Sequence, residues 1–178
     1  MSLKTGLLAL ICLALTACSG WHLRGSIDLP PIMQRTYIQS AEPNSLLSLD
    51  LSHALTNNHA QVQQTPIGAS AVLRLDRERI DRQVVAVNAN GKALQYGFFM
   101  QVNFRVEAAG KVLVPDQEVT AYREYVFNSQ DVLGNQSRED LLLTDMRHQL
   151  VDQILERLRY ARGRQLQQST ISHATVTG

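Results

Sequence analysis

Cys18 is the residue whose setting in this sequence calls for covalent chemistry. It closes the run Leu15-Thr16-Ala17-Cys18, with Leu three residues ahead of the cysteine and two small residues between. That spacing resembles the bacterial lipobox. There the thiol takes diacylglycerol as a thioether, the chain is cut before the cysteine, and the new amine is acylated. The residues upstream agree: Lys4 gives a positive start and Leu7 to Leu15 is a short apolar core. This is signal-peptide architecture over residues 1–17. The core falls short of the roughly 20 apolar residues of a spanning helix. Three acyl chains exceed the two signals that stable anchoring needs, since each buried CH₂ contributes about 0.8 kcal/mol. A plain secretory signal cut after Ala17 would instead leave a soluble periplasmic protein. Ser19 stands where lipoproteins kept in the inner membrane carry Asp, which points to the outer membrane, with the domain on its periplasmic side.

No other residue set reads as a reaction centre. There is no GxSxG, no HExxH and no Gly-rich phosphate loop. His22, His53, His59, His148 and His173 are scattered, so neither a metal nor a cofactor is expected. Glu139-Asp140 opens a helix, where carboxylates suit the positive end of the dipole better than they suit acid–base catalysis. Cys12 leaves with the signal, and a lipidated Cys18 leaves neither a disulfide nor a thiol nucleophile. Lys+Arg 17 against Asp+Glu 16 gives +1, and loss of Lys4 makes the two equal. A nucleic-acid binder normally carries a basic face, so that class is excluded. Hydrophobic residues at 44% and charged residues at 19% fit a globular domain and exclude full-chain disorder. Two cationic features remain. Arg157, Arg159, Arg162 and Arg164 gather at a helix end, either to complement its negative pole or to meet anionic headgroups or phosphorylated saccharide. Lys92 follows Asn90-Gly91 at a hairpin tip, where it serves solubility or contacts a partner or an anionic ligand.

These residues need elements to position them. Residues 18–34 hold Gly20, Gly25, Pro30 and Pro31 without periodicity and read as a tether. Arg35–Ser40 is a short strand. Asn44 or Ser45 caps a helix with Leu47, Leu51, Ala54 and Leu55 on one face, stopped at Asn57-Asn58. Gln61–Gln63 is a second strand, completing a small βαβ unit. A long strand runs from Ser70 to about Val87, with Asp76–Arg82 as a solvated or guarded stretch. Asn90-Gly91 signals a type I′ hairpin. In the next strand Leu94, Tyr96, Phe98, Met100, Val102, Phe104 and Val106 share one face. Phe99, on the polar face, reads as an interface residue. After Ala109-Gly110 the last strand is broken at Pro115-Asp116, a bulge or an edge. Ser137 to Asp140 resembles a capping box, and Leu143, Met146, Leu150, Ile154 and Leu158 form a helical stripe to about Ala161. The expected fold is α+β: a mainly antiparallel four- or five-stranded sheet with two amphipathic helices packed on one face. It makes a single domain over 35–163, followed by a flexible tail over 164–178.

The chain also resembles a family. After Cys18 come Ser19-Gly20-Trp21-His22-Leu23-Arg24-Gly25, similar to the start of the LPS-assembly lipoprotein LptE family. The likeness continues through Pro30-Pro31, Tyr37-Ile38, Asn44-Ser45-Leu46, Asn90-Gly91, Tyr96, Val102-Asn103 and the helix after Glu139-Asp140. It implies a non-enzymatic plug and assembly factor for the LptD β-barrel of the outer membrane. The pair would receive lipopolysaccharide and place it in the outer leaflet, with direct contact to the ligand. Family members can carry a basic residue before the hairpin Asn-Gly. Ala89 stands there in this chain, and Lys92 is the nearest substitute. The competing expectation is a lipid carrier or transporter auxiliary that holds an acyl chain in an apolar pocket.

Overall fold

The computed structural model describes residues 29–176; Cys18, the signal and the tether up to residue 28 lie outside them. A 3₁₀ turn at Pro31–Met33 leads into β1 (Arg35–Ser40), α1 (Leu46–Asn57) and β2 (Gln61–Gln63). Then come β3 (Ala71–Leu75), β4 (Arg79–Val87), β5 (Ala93–Ala108), β6 (Lys111–Val126) and α2 (Val132–Val176). The expected α+β layering is present. The sheet of the described residues has six strands and is mixed rather than purely antiparallel. β1 pairs in parallel with both β2 and β3, while β5 pairs antiparallel with β3, β4 and β6. The β1–β2 pair is the βαβ unit, because α1 carries the chain back to start β2 on one side of β1, and β3 lies on its other side.

Local chemistry sets the element ends. Ser45 caps α1, its hydroxyl accepting from the Ser48 N–H at 3.2 Å. The Asn58 amide closes the other end on the Ala54 carbonyl at 2.7 Å. The single strand expected from Ser70 to Val87 is two strands with a joint at residues 76–78. Both lie along one edge of β5, β3 against Phe104–Ala108 and β4 against Ala93–Gln101. Three charged residues, Asp76, Arg77 and Glu78, interrupt the alternation there; from Arg79 onward pairing resumes.

The hairpin expectation also moves. Between β4 and β5 only Gly91 has positive φ, 72°, so Asn90-Gly91 is not a type I′ pair. The Asn88 side chain instead accepts from the Asn90 and Lys92 N–H groups at 2.9 and 3.0 Å, which holds Asn90 out of the left-handed region. The two-residue turn with both φ positive is Ala109-Gly110, at 49° and 72°. Pro115 sits where the β5–β6 register shifts, on an edge strand, as its missing N–H requires.

α2 starts earlier than its expected cap at Ser137. Asp131 accepts from the Gly134 N–H at 3.0 Å and is the true cap. Ser137 lies inside the helix and donates to the Leu133 carbonyl. At the far end the backbone stays helical past Ala161, through Gly163, to Val176. Arg and Gln are good helix formers, and one Gly costs only about 1 kcal/mol.

Both helices cover the same face of the sheet. Leu47, Leu51 and Leu55 of α1 and Met146, Leu150, Ile154 and Leu158 of α2 are buried in one core with Leu73, Met100, Val102, Phe104 and Val106. Each fully buried side chain of this size contributes about 1.5–3 kcal/mol.

Candidate functional site

The sheet face opposite the helices has no cover among the described residues, and its composition is set by strand alternation. On β5, Gln95, Gly97, Phe99, Gln101, Asn103, Arg105 and Glu107 point that way, since their neighbours Phe98 to Val106 fill the core. At its centre Phe99 lies between Asp81 of β4 and Tyr122 of β6. The Phe99 and Tyr122 side chains are partly exposed, at 36% and 46%.

Gly97 makes this patch possible. A Cβ there would stand 2.8 Å from the Tyr122 hydroxyl and 3.0 Å from Val85 Cγ1. The absent side chain lets Tyr122 lie across the strand toward Val85, which is displaced at a bulge in β4. Tyr122 donates to Glu124 at 2.5 Å, and Gln95 donates to the other carboxylate oxygen at 2.5 Å. The bond to Glu124 raises the Tyr122 hydroxyl above its ordinary range. The result is a patch in which apolar rings alternate with amides and one engaged carboxylate.

The other half of the face is charged but internally paired. Arg74 and Arg105 are direct cross-strand neighbours. Glu107 pairs with both, accepting from Arg74 at 3.3 Å and standing 3.1 Å from Arg105, and Asp116 stands 3.9 Å from Arg105. A groove of about 230 Å³ lies there, lined by these arginines with Asp76, Asn103, Phe104 and Asp116. A second groove of about 230 Å³ runs between α1 and the end of β2, lined largely by Ser, Asn, Gln and Tyr37.

The residues singled out from sequence do not converge. Lys92 is exposed at the β4–β5 tip, and its ammonium makes no hydrogen bond or ion pair among the described residues. Phe99 lies on the bare face. Arg157 donates to Gln117 of β6 at 2.6 Å, whereas Arg159 pairs with Glu156 on its own helix at 3.6 Å. Arg162 and Arg164 lie beyond the last residue whose side chain is described. Among the described residues no three His, Cys, Asp or Glu side chains are grouped to hold a metal, and no helix is long and apolar enough to cross a membrane.

One cluster escaped sequence reading. Arg82, on the helix-side face of β4, forms an ion pair with Glu139 of α2 at 3.2 Å, donates to the Tyr125 hydroxyl at 3.4 Å and stands 3.8 Å over the Tyr96 ring. Tyr125 donates a short hydrogen bond to the same Glu139. Burial first, and that bond second, push the Tyr125 hydroxyl up to about 12, against the opposing charge of Arg82. The cluster pins the first turns of α2 to the hairpin end of the sheet. The available signal was alternation: Ile80, Arg82 and Val84 are spaced by two, which puts Arg82 on one side with two apolar residues.

Comparison with known proteins follows the same outline. The model of the LptE family, described as lipopolysaccharide-assembly, matches residues 33–158. Those limits fall at Met33 and Leu158, both fully buried. The LPS-assembly lipoprotein LptE of Pectobacterium atrosepticum is 27% identical, over 92% of this chain and 87% of that one. Its namesake in Yersinia enterocolitica is 22% identical, over 91% and 78%. Among solved structures, the rare lipoprotein B of Shewanella oneidensis aligns at TM-score 0.60 with 19% identity, over 81% of this chain and 99% of that one. Lipoprotein B of Nitrosomonas europaea aligns at TM-score 0.64 with 22% identity, over 76% and 88%. At these identities the structural matches speak for the fold.

Proposed function

The chain belongs to the LptE lipopolysaccharide-assembly family, and on that premise we propose that it is an outer-membrane lipoprotein acting as plug and assembly factor of an LptD β-barrel. Cys18 carries the acyl chains that hold it to the membrane, and the domain fills the barrel from the periplasmic side. Together the two proteins receive lipopolysaccharide and insert it into the outer leaflet, with the ligand touching this chain directly.

The observation that carries this reading is the bare sheet face. The lumen of an outer-membrane barrel is polar. A face of amides, hydroxyls and two rings can pair its hydrogen-bonding groups with such a wall and bury Phe99 and Tyr122 at the centre. Arg74 and Arg105 are matched by Glu107 and Asp116, whereas Arg79, Asp81 and Glu118 on the same face have no ion pair among the described residues and would take theirs from the polar wall. Lys92, at the hairpin tip and without an ion pair among the described residues, is the residue for a ligand phosphate. The lipid-carrier alternative needs an apolar pocket, whereas both grooves described above are lined mostly by polar side chains.

A tagged chain extracted in gentle detergent should co-purify with a large β-barrel protein at comparable abundance. Monomer alone would end the plug reading. Bound lipid without a barrel would favour the carrier.

A further inference from the structure

Four elements meet at the joint between β3 and β4. Arg147 of α2, whose side chain is 13% exposed, donates to Asp50 of α1 at 3.4 Å. Arg77 of the joint forms an ion pair with Glu42, in the turn between β1 and α1, at 2.9 Å. Glu78, the last residue of the joint, is half-buried. Its Oε1 is shielded from solvent and has no hydrogen-bond partner among the described residues. The charged groups that face it are Arg147 from α2, Glu42 from the turn and Asp50 from α1. Arg147 is already engaged by Asp50, so the Glu78 carboxylate meets two like charges and a cation it must share.

We propose that Glu78 makes this joint a pH-responsive fastener, closing β4 onto α1 and α2 when its carboxyl carries a proton and loosening it when the proton is lost. A protonated carboxyl removes the repulsion from Glu42 and Asp50, and its buried oxygen is then a neutral acceptor. The ionised form leaves an uncompensated oxygen in a desolvated site. Burial moves the Glu78 proton loss above the ordinary 4.5, Glu42 and Asp50 add to that, and Arg147 opposes it. The folded state therefore holds the proton more tightly than the unfolded chain does. Its contribution is complete below the ordinary carboxylate range and is lost as pH rises through the raised value. The effect is local because β4 is held in the sheet by β5 alone, so a loosened joint frees one edge and leaves the core intact.

Amide hydrogen exchange on the full-length chain in mild detergent tests this, with rates corrected for their intrinsic pH dependence. Protection across residues 75–82 should be lost progressively in the wild type as pH is raised from below the ordinary carboxylate range. Glu78→Gln should hold the acid-side protection throughout. Glu42→Gln, which keeps Glu78 but removes one repelling carboxylate, should shift the wild-type transition to lower pH. Wild type and Glu78→Gln following one another across the range would overturn the proposal. So would a transition unmoved by Glu42→Gln, a reading that stands even if the first variant does not fold.

Discussion

Tyr125 sits between a carboxylate that wants its proton and a guanidinium that would stabilise its loss, and burial decides the balance. Its hydroxyl is pushed from 10.0 to about 12, so the folded form keeps the proton longer than the unfolded chain. The stability tied to that proton is complete below pH 10.0 and is lost between there and about 12. Tyr125→Phe should lower stability near neutral pH by about 1–3 kcal/mol, because Glu139 loses a donor. It should also flatten the alkaline part of a urea-midpoint profile against pH. At the other end of the chain, Cys18→Ala should give an unlipidated protein whose domain still folds. Mass spectrometry of the wild type should find the acylated cysteine, and an unmodified Cys18 would remove the anchor. Residue roles of this kind divide by what the sequence can carry. The proposal for Cys18 rests on a motif that is local and linear. Glu78 and Arg82 are not legible, because their partners Arg147 and Glu139 lie in a helix more than fifty residues away and only the fold joins them.

Elements were legible where a period or a cap is local. β1, α1 with its Ser45 cap, β2 and the core face of β5 follow directly from alternation, helical spacing and a capping hydroxyl. The Pro115 bulge follows from a missing donor. The failures have a shared cause, competition among several local signals. Asn88 outbids Asn90 for the turn, Asp131 outbids Ser137 for the cap, and the charged triplet at 76–78 opens a strand that remains in line along β5. Ala109 shows the cost of such choices, since a Cβ residue in the left-handed region is disfavoured by about 1–2 kcal/mol. Ala109→Asn should therefore raise stability by about 1 kcal/mol, read as an increase in denaturant midpoint with unchanged slope. Asp131→Ala should lower it by about 1 kcal/mol in the same assay, from loss of the α2 cap.

At the scale of the whole molecule the layers divide the labour. The helices and one sheet face make the core, which holds the domain together without a disulfide. The other face is uncovered among the described residues, with a glycine placed so that Tyr122 and a bulged valine lie beside Phe99's strand. The sequence marked Phe99 on that face from alternation alone. It could not mark Tyr122 and Gly97 as neighbours, because the β5–β6 register that places them diagonally depends on two shifts, one at Pro115 and one just before it. The central claim is that this face seats the chain in its barrel. Its most direct test is the native mass of the detergent-extracted complex, for wild type and for Phe99→Glu with Tyr122→Glu. The wild type should run as one chain per barrel. The double variant should be a folded monomer, with barrel retention reduced about tenfold or more, as expected when interface-centre aromatics are lost. A double variant that keeps its barrel in full, or a wild type that extracts alone, would contradict that seating.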